Sequence, residues 1–162
     1  MNKIRSQDAP KYDSNIDNTD DAVIDSALEI LRKRMAAGPV LTSPRLVRDF
    51  LSVELGREKD EVFCALYLSN EHRLIEFKRH FYGSISSAVV HTRVIVRTAL
   101  ELNAAAVIFA HNHPSGNPSP SLSDEKLTKR LSDALELIDV KVLDHIVVAA
   151  SGSASMAEKG LM

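Results

Sequence analysis

The chain has 162 residues, of which 44% are hydrophobic and 26% charged, as is typical of a globular protein large enough to bury a core. Its formal net charge of −2 excludes a general electrostatic attraction to nucleic acid or to an anionic membrane. The single cysteine, Cys64, and the lack of any run of roughly 20 apolar residues predict a cytoplasmic protein without an internal disulfide or a membrane partner.

The N-terminal part is predicted to be a polar tail followed by two helices. Residues 1–19 lack periodicity and the apolar core of a signal peptide, and we interpret them as a flexible tail. Apolar side chains then recur at helical spacing until Gly38-Pro39 stops the pattern. A second helix is expected at Ser43-Pro44, because serine caps helices and proline suits the first helical position. Residues 20–56 are thus predicted to be a short N-terminal helical extension to a domain covering residues 57–162.

Strand-like and helical patterns alternate in the rest of the sequence. Residues 61–68 and 73–82 predict a hairpin, and the first strand is so apolar that we expect both of its faces to be buried. The later elements are predicted at 93–102 (helix), 105–109 (strand), 122–138 (helix), and 140–142 with 146–150 (strand), with a short edge element in the last ten residues. This order predicts an α+β fold, an α/β/α-like sandwich in which helices flank a mixed central β-sheet.

Two histidines follow the central apolar strand at a spacing of two residues. In extended chain, His111 and His113 point to the same side and lie about 6–7 Å apart at Cα. A proline-rich loop leads from them to a helix that opens near Asp124. Two imidazoles and a carboxylate are a typical ligand set for catalytic zinc, which keeps its fourth position open for water.

Each of these residues also has a purely structural interpretation. A His-x-His pair can be two half-buried, hydrogen-bonded histidines, and Ser121-x-x-Asp124 fits a helix cap with an acid near the positive helix end. Capping alone would account for Ser121 and Asp124, although it does not explain the stiffened loop before them.

The pattern His111-x-His113-Pro114, six residues, Ser121, two residues, Asp124 resembles the motif of the JAMM (JAB/MPN+) metalloproteases. The longer wording His-Asn-His-Pro-Ser-Gly-Asn at 111–117, with Leu-Asp-His at 143–145, resembles the bacterial RadC-like branch. The similarity covers roughly residues 40–162.

This resemblance implies a JAMM/MPN domain of cytidine deaminase-like architecture that binds one zinc ion per chain through His111, His113 and Asp124. It implies a metallohydrolase, a protease or isopeptidase, which acts on a peptide or protein substrate. Glu61, at the start of the first core strand, best matches the general base of the family, and Glu76 is the runner-up. Ser121 matches the serine that stabilises the tetrahedral intermediate.

The remaining candidates receive structural interpretations. His145 is either a partner that orients a metal ligand or a buried structural histidine. His72, His80 and His91 lack ligand-like spacing and are expected on loops or surfaces, and Cys64 is expected to be core packing. Asn112 is predicted to point away from the histidine face and is assigned no catalytic role.

A second function class also fits the resemblance. RadC-like proteins have traditionally been labelled DNA repair factors, so the alternative is an accessory protein that binds nucleic acid or a protein partner without hydrolysis. Basic residues on two predicted helices would form the contact surface, but acids interrupt them: Arg93, Arg97, Lys126, Lys129 and Arg130, against Glu101 and Asp133. The intact ligand set favours the hydrolase.

Overall fold

The structure, a computed structural model, describes residues 18–37, 44–83 and 90–162. Its elements in chain order are α1 (Asn18–Ala37), α2 (Pro44–Leu55), β1 (Val62–Leu68), β2 (Leu74–Tyr82), α3 (Thr92–Glu101), β3 (Ala106–Asn112), α4 (Leu122–Glu136), β4 (Lys141–Ala149) and β5 (Gly152–Ser155). Almost all of the predicted tail, the stop at Gly38-Pro39 and the cap at Ser43 lie outside the described residues. No described helix carries an apolar stretch of membrane-spanning length.

The five strands form one mixed sheet in the order β2-β1-β3-β4-β5. β3 and β4 run parallel, because the crossover helix α4 returns the chain to the same end of the sheet, and every other neighbouring pair is antiparallel. The predicted hairpin of β1 and β2 and the predicted order of elements are confirmed, as is the α+β class.

Helices cover both faces of the sheet. Every residue of β1 is buried, as predicted, and alternate side chains point to opposite faces. One face of the sheet packs against the buried side chains of α2, which are Val47, Phe50, Leu51 and Leu55. The other packs against α3 and α4 and includes Phe63, Ala65, Tyr67, Phe109, Leu131 and Leu135. His111 of β3 therefore belongs to the face that α3 and α4 cover.

Two strands are longer than the sequence predicted. β3 continues past residue 109 to Asn112 and so includes His111. β4 is continuous through Asp144 and His145, whereas the sequence predicted strand only at 140–142 and 146–150. The Asp144 carboxylate instead accepts hydrogen bonds from the backbone N–H groups of His145 and Ala157 and from the Ser155 hydroxyl, at 2.6–3.0 Å. A polar side chain with such internal partners does not interrupt a strand.

Candidate metal centre

Strand register places Glu61 beside the two histidines. Phe63 of β1 is paired with His111 of β3, and the same antiparallel register, continued by two residues, puts Glu61 opposite His113. Directly opposed residues in a sheet have their side chains on the same face. The backbone N–H of His113 donates to the carbonyl of Val148 at 2.7 Å, which keeps His113 in line with β3. The acid and both imidazoles therefore share one end of the sheet.

The start of α4 brings Asp124 to this end. Ser121 is the N-cap of α4 and forms a capping box with Asp124, in which the Asp124 N–H donates to Ser121 Oγ at 3.2 Å. The N–H and hydroxyl of Ser121 both donate to Asp124 Oδ2, at 2.6 and 2.7 Å. These bonds fix the rotamer of an almost fully buried carboxylate. Asp124 is thus held rigidly before any metal is considered.

Four of the predicted site residues converge. The potential ligand atoms of Glu61, His111, His113 and Asp124 all lie within 4.8 Å of one another. The Asp124 carboxylate oxygens are 3.4 Å from His111 Nε2 and 3.6 Å from His113 Nε2. Glu76, the alternative base, is exposed on β2 opposite Tyr67 and is not part of this cluster. The roles assigned to these side chains remain predictions.

The donor set fits a cation between the histidines. His113 Nδ1 lies 2.9 Å from the carbonyl oxygen of Asn117, which can only accept, so this nitrogen carries the proton. In the neutral ring, His113 Nε2 is left with a lone pair, and it faces His111 Nε2 at 2.9 Å. Such a contact needs a positive centre between the two nitrogens, either a proton on His111 or a metal ion. The flanking Asp124 carboxylate favours the same charge.

Burial favours the neutral form of His111 and His145. Desolvation lowers the pKa of His111 to about 4; Asp124 opposes this shift and His113 adds to it. Complete burial also lowers the pKa of His145 well below its ordinary value, and neighbouring His111 and His113 act in the same direction. An imidazole must be unprotonated to ligate a metal, so the environment of His111 favours the ligating form at neutral pH.

The structure also places His145, Cys64 and His80, three residues for which the sequence made a prediction. His145 is fully buried and its Nε2 lies 2.8 Å from His111 Nδ1, so it contacts a candidate ligand directly. Cys64 is core packing: it is buried, its pKa is raised by desolvation, and its thiol contacts the carbonyl of Ala110. The prediction for His80 was wrong. Its ring is partly buried on β2, because the Tyr67 hydroxyl supplies a hydrogen-bond partner at 2.8 Å.

Two residues with well-defined contacts near the site were not assigned a part by sequence reasoning. Asn112 points away from the histidines, as predicted, but its carboxamide bonds to the backbone of the segment that carries Glu61. Thr128 was not singled out, although its hydroxyl contacts both His145 and the carbonyl of Asp124. A threonine four residues after the predicted ligand lies on the same face of the helix, and this spacing was the available signal.

Comparisons with known proteins agree with the geometry. A family model described as the RadC-like JAB domain matches residues 41–161. A UPF0758 protein of Vibrio cholerae is 48% identical over 138 residues, which cover 85% of this chain and 87% of the relative. UPF0758 proteins of Methylibium petroleiphilum and Thioalkalivibrio sulfidiphilus are 48% and 50% identical over 141 residues, or 87% of this chain. The chain spans only 64% and 63% of the length of these two relatives.

Proposed function

Because this chain belongs to the RadC-like JAB domain family, we propose that it is a zinc-dependent hydrolase of peptide or isopeptide bonds. The observation that carries the proposal is the convergence of Glu61, His111, His113 and Asp124, whose potential ligand atoms lie within 4.8 Å of one another. The JAMM-like motif spacing supports the same chemistry. We expect the substrate to be a peptide or protein and the location to be cytoplasmic, which the single, buried cysteine supports.

In this proposal, His111, His113 and Asp124 hold one zinc ion. Two imidazole nitrogens and one carboxylate are a protein ligand set typical of catalytic zinc, and they leave a position for water or substrate. A zinc ion bound there supplies Lewis acidity, which acidifies water and polarises a substrate carbonyl. The Asp124 carboxylate is held in place by the capping box, so the ligand needs little reorganisation when metal binds.

During hydrolysis, Glu61 would transfer a proton and Ser121 would stabilise the developing negative charge. Glu61 is half-buried beside His113, within reach of a water molecule at the cluster, and would accept a proton from it and pass that proton to the leaving amine. Ser121 is exposed at the mouth of the cluster, and its hydroxyl would turn from Asp124 Oδ2 to donate to the developing oxyanion.

Metal content tests the ligand assignment. We expect elemental analysis to find about one zinc per chain in the purified protein and none in Asp124→Ala. The matched control is Asp133→Ala, which removes an exposed acid of the same helix and should leave the zinc content unchanged. Absence of zinc from the unmodified protein after zinc is supplied, or equal zinc in both variants, would overturn the assignment.

Hydrolysis tests the role of Glu61. The zinc-loaded protein is incubated with a fluorogenic peptide library and with lysine ε-linked isopeptides. We expect Glu61→Gln to retain zinc but to lose about 10²–10⁴-fold in rate, since the positioned base is gone. Glu76→Gln is the matched control and should cleave normally. No cleavage by the zinc-loaded protein in either substrate set, or equal rates in both variants, would argue against the proposal.

No described contact favours the nucleic-acid alternative. Lys129 is paired with Asp133, Arg97 lies near Glu101, and the guanidinium of Arg130 donates to a backbone carbonyl. These contacts engage several of the basic side chains that a phosphate-binding surface would use. A steep fall of DNA affinity with rising salt concentration would be the result that revives this alternative.

A further inference from the structure

A chain of buried hydrogen bonds connects two of the candidate metal ligands through the protein interior. His111 Nδ1 lies 2.8 Å from His145 Nε2, and His145 Nδ1 lies 2.6 Å from Thr128 Oγ1. The Thr128 hydroxyl in turn lies 2.7 Å from the backbone carbonyl oxygen of Asp124. Thus the chain starts at one ligand and ends at another. Neither His145 nor Thr128 has a part in the proposed hydrolysis.

When a metal occupies His111 Nε2, the direction of every bond in this chain is determined. The His111 proton must then sit on Nδ1, which donates to His145 Nε2. His145 is neutral, so its own proton sits on Nδ1 and is donated to Thr128 Oγ1. The Thr128 hydroxyl donates to the Asp124 carbonyl, which can only accept. Every donor and acceptor in the chain is then satisfied without water.

The contact at the far end of the chain requires the same direction. The Asp124 carbonyl oxygen can only accept, and at 2.7 Å from Thr128 Oγ1 it receives the hydroxyl proton. His145 Nδ1–H then donates to Thr128 Oγ1, and His145 Nε2 accepts from His111 Nδ1–H. His111 Nε2 is left with a lone pair that faces His113 Nε2 at 2.9 Å, where a cation would lie.

In this direction the His111 lone pair faces the cluster and no ring in the core carries a charge. The other neighbour of the Thr128 hydroxyl, Met156 Sδ at 3.7 Å, is a weak acceptor that does not compete with the carbonyl.

We propose that His145 and Thr128 are positioning residues that hold His111 in the tautomer with its proton on Nδ1, so that its Nε2 lone pair faces the metal site. The inference rests on the metal site of the proposed function and adds to it a requirement on residues that do not touch the metal. Partners of this kind orient ligating histidines, and their loss typically weakens metal binding by about 10–100-fold.

Thr128→Val tests the chain because it keeps the shape of the side chain and removes the hydroxyl. We expect zinc to bind about 10–100-fold more weakly, measured by competition with a chelator, because the buried His145 Nδ1–H loses its acceptor. Thr128→Ser restores a hydroxyl and should restore the affinity to within about threefold. The matched control is Thr98→Val, since Thr98 is equally buried and its hydroxyl also bonds the carbonyl four residues earlier, on α3.

The tautomer of His145 gives a readout that a merely structural role would not move. Long-range ¹⁵N–¹H NMR of the folded, zinc-loaded protein should find the protons of both His145 and His111 on Nδ1. Zinc binding with the His145 proton on Nε2, or equal affinities of Thr128→Val and Thr98→Val, would overturn this inference alone. Failure of the unmodified protein to bind zinc would instead overturn the proposed function.

Discussion

Asp124 illustrates how one side chain can satisfy two interpretations of a sequence motif. Its Oδ2 accepts both hydrogen bonds from Ser121, and its two oxygens also face the imidazoles of His111 and His113. A carboxylate offers about four lone-pair positions, so helix capping leaves capacity for a metal. The structural and the functional explanations of the Ser-x-x-Asp pattern are therefore compatible, and the cap itself orients the candidate ligand.

The partly buried ring of His80 is expected to lower the stability of the folded state in acid. Burial lowers its pKa to about 4, with Lys78 adding to the shift, and its ring contacts the Tyr67 hydroxyl. The unfolded chain, with an ordinary pKa near 6.5, binds the proton first as the pH falls. The stabilisation is thus fully present above about pH 6.5 and is lost as the pH falls towards 4.

We expect His80→Gln to reduce the difference in unfolding free energy between pH 7.5 and pH 4.5 by about 1–2 kcal/mol, allowing for partial solvent screening. Urea unfolding of both proteins at both pH values measures this difference. His111 and His145 also have lowered pKa values and remain in both proteins, so only the difference between the proteins is informative. A reduction of the same size in His91→Gln, which removes an exposed ring, would contradict the assignment to His80.

The candidate site is assembled from the ends of three elements, and Asn112 ties two of them together. Its Oδ1 accepts from the N–H of Val62 at 2.7 Å, and its Nδ2 donates to the carbonyls of Asp60 and Glu58, at 3.0 and 3.3 Å. These backbone groups flank Glu61. The strand that carries the histidines thereby also fixes the segment that carries the acid.

Asn112→Asp should release this segment, because the carboxylate cannot donate to two carbonyls and places negative charge against them. We expect a loss of about 2–4 kcal/mol in unfolding free energy, measured by urea unfolding, for two lost hydrogen bonds and a buried carboxylate placed against two carbonyl oxygens. The matched control is Asn70→Asp in the exposed turn between β1 and β2, which should change stability by less than about 0.5 kcal/mol. Equal losses in the two variants would rule out a clamp by Asn112.

At the scale of the whole molecule, we expect metal binding at the cluster to be coupled to folding. The cluster draws on the approach to β1, the end of β3 and the start of α4, so it exists only when the sheet and α4 are in place. A ligand that binds only the folded state raises its stability by mass action. Zinc should therefore stabilise the entire chain rather than one loop.

We expect zinc at about 100 times its dissociation constant to add about 2.7 kcal/mol, which corresponds to a rise of about 5–10 °C in Tm. A chelator should reverse the rise, and thermal unfolding followed by circular dichroism measures both changes. His113→Ala should lose the rise, while His91→Ala, an exposed histidine outside the cluster, should keep it. The coupling would be disproved by an equal zinc-dependent rise in His113→Ala and the unmodified protein.

Local patterns in the sequence determined most of the fold. Apolar periodicity identified the helices and strands because it reflects which face of each element is buried, and it predicted β1 as a strand buried on both faces. The spacing of His111 and His113 placed both rings on one side of a strand, and the Ser121 cap located the start of α4. Each of these features depends on a few neighbouring residues, so the sequence alone carries them.

Tertiary structure decided the relations between distant segments. Strand register put Glu61 rather than Glu76 opposite His113, and the packing of α4 on the sheet brought Thr128 to His145. No short-range pattern encodes a register or a helix–sheet contact, because both depend on how all the side chains between two layers fill space together. The sequence by itself therefore determined which elements form and which residue types are present, whereas only the packed sheet and helices decided which side chains meet.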